Sequence, residues 1–354
     1  MNKALFVLPF ILISLLAAIW SGWLRMGWNI PVNNAVAQHG ALMVGSFLST
    51  VIFLERAVTF QSKWVLLLPL LNGISAVFFL SHHPVIAQWL LVIGSAGFLV
   101  MCAYFIFKYE ELYYYVFFVG AFCLLAGNII LLKTEFYPNA VNWWMAFLLF
   151  TIVAERLELS RFLSLTAFKR NALLLSLLIS IVALFLPFHL YGNVVFAAGL
   201  GATALWLLRY DMARHSIKIK GQHRYSAVLL IAGYVWLLLS AILFISSNQA
   251  PFGYDATLHS FFIGFVFSMI FSHAPIILPA VLKLPIKLFR PFFYAWFGVL
   301  QLSLVIRLMG DLQTDDGLRK WGGMLNGIAI LGFFISVFII VRTEVKKRRS
   351  LSKA

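Results

Sequence analysis

The stretch Asp255–Leu282, "DATLHSFFIGFVFSMIFSHAPIILPAVL", constrains the chain most. A bilayer-crossing helix needs roughly 20 apolar residues at about 1.5 Å rise each, and this run exceeds that. It carries two histidines, His259 and His273. An imidazole in such a setting loses its water and must find a partner. On a uniform helix the two rings stand about 21 Å apart along the axis and within about 40° around it, so the spacing predicts one face at two depths. Ser260, Gly264, Ser268 and Ser272 recur at every fourth position. Such a small-residue stripe predicts a closely packed neighbouring helix. Pro275 removes a backbone donor, which predicts a bend at His273.

The rest of the chain repeats the apolar theme. Only 11% of its residues are charged and 62% are hydrophobic, against about 25% charged in soluble domains. The expected fold is an all-α polytopic membrane bundle of about twelve spans, forming one domain over 1–354. Hydropathy places the spans near 4–23, 38–58, 64–81, 85–107, 113–132, 141–158, 171–188, 190–208, 225–246, 256–281, 291–309 and 322–341. An even count in the cytoplasmic (inner) membrane puts both termini in the cytoplasm, with a cytoplasmic tail at about 342–354. The first span follows "MNK" without a small-residue cleavage site and is expected to be retained.

The net charge of +15 does not point to nucleic acid. Most Lys and Arg fall at one end of the spans, as in "RYDMARHSIKIKGQHR", "KLPIKLFR" and "RTEVKKRRSLSKA". That is the positive-inside pattern, and the partner it implies is the lipid bilayer. Cys102 and Cys123 lie in apolar runs without a CxxC spacing, so neither a disulfide nor a zinc site is expected. Glu55-Arg56 closes the second span and Glu155-Arg156 closes the sixth. This echo, with the tenth span four helices further on, suggests three pseudo-symmetric four-helix units.

His39 opens the second span and His259 opens the tenth, both at the outer end on this topology. Two imidazoles at one depth on different helices can hold a haem iron from both faces; equally, they can cap helix ends at headgroup level. Gly40, Gly45 and Ser46 leave room beside His39 for a macrocycle or for a close helix. His273 and Met269 are a soft donor pair for Cu(I), or a hydrogen-bonded histidine with a thioether filler. Arg307 could meet haem propionates through its planar guanidinium, or anchor a span end. Glu55, Arg56, Glu155, Arg156 and Glu158 read either as a proton or ion path or as interfacial salt bridges. His82, His83 and His189 sit in outer links. No GxxxxGK[ST], GxGxxG or HExxH motif occurs, and no Asp is expected mid-membrane.

Three segments, "HGALMVGSFLSTVIFLERAV", "AFLLFTIVAERLELSR" and "LHSFFIGFVFSMIFSHAPIILP", resemble those of NnrS-type membrane proteins. The matching positions are His39, Glu55, Arg56, Glu155, Arg156, Glu158, His259 and His273. The resemblance implies a haem- and copper-containing protein linked to nitric oxide metabolism or nitrosative stress. The start "MNKALFVLPF" departs from the Gly-Phe-Arg-Pro-Phe-like start of that family. A more distant architectural likeness is to haem–copper oxidase catalytic subunits, which hold a low-spin haem between the second and tenth spans. Their copper histidines have no match here: the sixth span has none, His189 only follows the seventh, and His273 is four turns from His259. The likeness therefore implies no oxygen-reducing binuclear centre. The expected function is b-type haem binding in nitric oxide response or electron transfer, fed by a donor protein or quinol. A transporter or exporter of a metal or small solute is the alternative.

Overall fold

A computed structural model describes residues 3–31, 35–160, 163, 165–247 and 250–351. Among the described residues there are helices and turns and no strand. Packing divides the chain into two compact units, Met1–Leu165 and Thr166–Ala354.

The first unit holds α1 (Leu8–Arg25), α2 (36–57), α3 (Trp64–Leu80), α4 (Pro84–Tyr109), α5 (Leu112–Thr134) and α6 (Tyr137–Ser160). Helix α2 is composite, with a 3₁₀ turn Val36–Gln38, a π-helix Ala41–Leu48 and an α-helix Ser49–Ala57. Its π segment packs on α1 and α3. Helix α6 is the inner one: 83% of its apolar window is buried, with Trp144, Met145 and Phe147 fully enclosed.

The second unit holds α7 (Ala167–Ala183), α8 (Asn193–Tyr210), α9 (Gln222–Ser246), α10 (Gly253–Val281), α11 (Phe293–Gln313) and α12 (Asp316–Leu351). Helix α9 packs on α8 and on α10, and α11 pairs closely with α12. Helix α10 is also composite: Gly253–His259, then a π-helix Ser260–Phe267, then Ser268–Val281.

Each expected span falls on a helical segment. Among the described residues, nine helices are long and apolar enough to cross a membrane. The other three segments are the composite α2, the shorter apolar Trp64–Leu80 and the 17-residue α7. Among the described residues, each compact unit holds six of these twelve segments, where the expectation was three units of four. Three links have only two residues, 110–111, 135–136 and 314–315, and each opens with a left-handed residue: Glu110 (φ 50), Glu135 (φ 51) and Thr314 (φ 59). Their N–H groups reach back to Ile106, Leu131 and Gly310, closing the preceding helices.

The bend expected at His273 falls within the last α segment of α10, Ser268–Val281. The α-helix runs through Pro275 and Pro279, and the irregular part is the π-helix upstream. Ser226 and Ser272 exchange hydroxyl-to-carbonyl bonds, 3.0 and 3.2 Å, tying α9 to α10 just before Pro275. A π stretch turns less per residue than an α-helix because its bonds close over five residues. The shared face expected for His259 and His273 assumed a uniform helix, and the π run between them removes that premise. The small-residue stripe does face a neighbour: Ser260, Gly264, Ser268 and Ser272 are buried, and a Cβ on Gly264 would lie 2.5 Å from Trp236 Cγ.

Candidate functional site: two histidines at the heads of π-helices

His39 lies in the first unit, two residues before its π-helix. Its Nδ1 is 2.7 Å from the Ala18 carbonyl of α1 and 3.5 Å from Ser21 Oγ. The ring rests on Gly22: a Cβ there would come 2.9 Å from Cε1 and 3.2 Å from Nδ1. Only a glycine permits that seat. Next to it, Tyr137 donates its hydroxyl to Gln38 Oε1. The room expected beside His39 is taken by close helices. Gly40 abuts Tyr137 and Trp144, Gly45 abuts Leu91, and Ser46 bonds Ser75 at 2.7 Å.

His259 lies in the second unit, immediately before its π-helix. Its Nδ1 is 2.9 Å from the Asp255 carbonyl, one turn back, and 3.3 Å from Asp255 Oδ1. Arg307 of α11 donates to Asp255 Oδ2 at 2.8 Å. Asp311, fully buried, accepts from Arg319 Nε at 2.9 Å, and the Arg319 guanidinium lies 3.9 Å from the Phe252 ring centroid. Arg307 Nε and Asp311 Oδ2 are 3.9 Å apart, and neither has a hydrogen-bond partner. Arg307 therefore serves Asp255 and Asp311. No Asp is expected mid-membrane, and Asp311 is buried near the C-terminal end of α11, which continues to Gln313. Two arginines neutralise its surroundings, which makes that burial tolerable.

A ring nitrogen facing a carbonyl carries the proton. In both histidines Nδ1 is therefore the donor, an arrangement in which a neutral ring keeps its lone pair on Nε2. This is how metal-ligating histidines are commonly oriented. The parallel extends downstream. Each π run has eight residues with glycine fifth, Gly45 and Gly264, and is followed by a serine, Ser49 and Ser268. Each serine donates back to its glycine carbonyl. An amide from the following helix reaches each serine: Asn72 Nδ2 at 2.7 Å on Ser49, Gln301 Nε2 at 3.4 Å on Ser268. Asn72 also meets the Gly45 carbonyl at 3.2 Å. Carbonyls left without their usual helical donors in a π turn thus gain side-chain donors.

In the first unit the two echoing Glu-Arg pairs converge. Arg56 bonds Glu155 at 3.0 Å, stands 3.6 Å from Glu158, and lies 4.6 Å from the Phe117 ring centroid. Glu55 is half-buried in the same end of α2 and Arg156 is buried. A small open cleft, lined by Arg56, Tyr113, Tyr114, Phe117 and Glu158 among others, lies there. The salt-bridge reading accounts for Arg56, Glu155 and Glu158.

Met269 is buried with its methyl against Gly233 of α9, so it acts as a filler; His273 is half-buried. Among the described residues no three His, Cys, Asp or Glu side chains gather as a metal site. Two donors do not complete a copper site, so copper fits these residues poorly. Cys102 and Cys123 are buried and free. The His189 side chain is outside the described residues. Sequence reading missed Asp255, Asp311, Arg319, Asn72 and Gln301. The i, i+4 spacings Asp255–His259 and Arg307–Asp311 were the available signal for the first two.

Fold and site together define a helical bundle rich in long apolar helices, with a histidine whose Nδ1 faces a backbone carbonyl introducing each of two eight-residue π-helices. Within that class the chain belongs to the family described as "Domain of unknown function (DUF8744)", which residues 4–342 match. No curated protein and no solved structure matches it.

Proposed function

We propose that the protein is a twelve-span protein of the cytoplasmic membrane, both termini cytoplasmic, that binds b-type haem with His39 and His259 as iron ligands. Its role on this reading is nitric oxide or nitrosative-stress metabolism, or electron transfer, with a donor protein or quinol supplying electrons. The observation that carries it is the hydrogen bond that Nδ1 of each histidine makes to a backbone carbonyl, the orientation metal-ligating histidines commonly take. Bound haem would supply one-electron chemistry at iron. The chain's own work is to fix the rings: Gly22 and Ala18 seat His39, and Asp255, held by Arg307, orients His259. Arg307 would meet a propionate only by sharing its guanidinium with Asp255. The resemblance to NnrS-type proteins supports the physiological role and nothing finer.

The test is the pyridine haemochrome and the reduced-minus-oxidised spectrum of purified protein from haem-replete cells. Expected are stoichiometric haem and a b-type spectrum, lost in His39→Ala and in His259→Ala. Bands unchanged in both variants overturn the ligand assignment. Iron and copper measured in the same sample decide whether copper through His273 and Met269 belongs to the proposal. Solute flux in haem-free proteoliposomes, abolished by His273→Ala, would replace this reading with a transporter.

A further inference from the structure

One face of α12 changes character along its length. Ile335, Phe338 and Ile339 are exposed apolar residues, and Arg342 and Lys346 continue the same face at i+7 and i+11. The loop after α10 adds a second basic strip. Lys283 adopts the left-handed conformation, φ 53, and the Leu284 N–H reaches the Pro279 carbonyl at 2.8 Å, so the loop leaves the helix in a fixed direction. From there Ile286 and Leu288 turn inward and are buried, while Lys283 and Lys287 turn outward and are exposed. Two bonds hold the strips together: Arg290 to Glu344 at 2.7 Å, and Arg348 to the Pro285 carbonyl. Across 283–290 and 342–348 the chain has seven Lys or Arg and one acid, Glu344, which is already paired.

We propose that this face is a binding site for an anionic phospholipid, its acyl chain along Ile335, Phe338 and Ile339 and its phosphate among Arg342, Lys346, Lys283 and Lys287. A soluble anion would use the cations alone. The apolar residues continuing the same helix face match an amphiphile instead, and clustered cations next to a membrane helix attract anionic headgroups. The inference rests on the membrane part of the proposed function and is independent of haem.

The experiment uses the full-length protein in detergent. Phosphatidylglycerol is expected to raise its melting temperature and to co-purify with it; phosphatidylcholine and inorganic phosphate should do neither. In the K283Q/K287Q/R342Q/K346Q variant, retained phosphatidylglycerol should fall by about fivefold per cation removed. A K218Q/K220Q control, in another basic loop, should retain it. Equal stabilisation by phosphatidylcholine or by inorganic phosphate in the wild type overturns the proposal without any variant. So does unchanged retention in the fourfold variant, or an equal loss in the control. Recovery of the protein in the soluble fraction would instead overturn the membrane reading beneath it.

Discussion

The π-helix of the first unit and that of the second are built alike and charged differently. Both have a histidine at the head, a glycine fifth in the run, a serine after it and an amide on that serine. Around His39 three neutral groups stand close: the Ala18 carbonyl, Ser21 and the bare backbone of Gly22. An ion cluster of the first unit lies at the other end of α2, on Arg56, Glu155 and Glu158. Around His259 the charges crowd the histidine itself, through Asp255, Arg307, Asp311 and Arg319. One ring is placed by shape and a carbonyl of another helix; the other is placed by its own turn and a buried ionic network. The comparison teaches that an imidazole nitrogen can be aimed by packing or by charge, at different cost.

The largest expected effect breaks the charged side of that contrast. Arg307→Met leaves Asp255 and the fully buried Asp311 short of a counter-charge. A loss of about 3–5 kcal/mol is expected, seen as a large drop in melting temperature or in folded yield. Arg56→Met, whose partners Glu155 and Glu158 keep 21% and 33% exposure, should cost clearly less. Equal losses would erase the distinction between the two units.

The glycines come next. A Cβ at Gly264 would sit 2.5 Å from Trp236 Cγ and 2.7 Å from its Cβ, atoms tied closely to the backbone. At Gly45 the nearest atom is Leu91 Cδ1 at 2.6 Å, the free end of a flexible side chain. Gly264→Ala should therefore cost about 1–3 kcal/mol and Gly45→Ala only the low end of that range, by thermal unfolding.

Haem affinity sharpens the comparison further. Gly22→Ala pushes against the His39 ring without removing the ligand, and Asp255→Asn weakens the orientation of His259. Each should lower haem affinity by about tenfold, measured by haem titration of the apoprotein. Retained affinity in Gly22→Ala would show that shape does not aim His39. The smallest effect is expected from Glu158→Gln, whose 3.6 Å pair with Arg56 is partly solvated. A change below about 1 kcal/mol in unfolding would fit an exposed ion pair.

Helix positions were readable because each apolar run is long and its ends are polar; "LHSFFIGFVFSMIFSHAPIILP" could hardly be anything else. The Glu-Arg echo suggests a repeat of four-helix units; what the structure shows is that Arg56 and Glu155 pair with each other. The π segments were not readable. Their extra residue per turn depends on donors from other helices, Asn72 and Gln301, which hydropathy does not register. The same blindness explains why the π run of α10 went unread: a missing proline N–H is a local signal and the widened turn is a tertiary one. The buried acids escaped notice because they flank the expected spans: Asp255 precedes 256–281 and Asp311 follows 291–309.

The two-residue links at 110–111, 135–136 and 314–315 have a consequence for how the chain is made. With so little slack, α5 must return antiparallel against α4, α6 against α5, and α12 against α11. A ribosome would therefore hand over these segments as folded-back hairpins, and no sister molecule could exchange one arm without first melting the turn. The order of synthesis and the final neighbour relations are thus the same order, written into three corners of the chain.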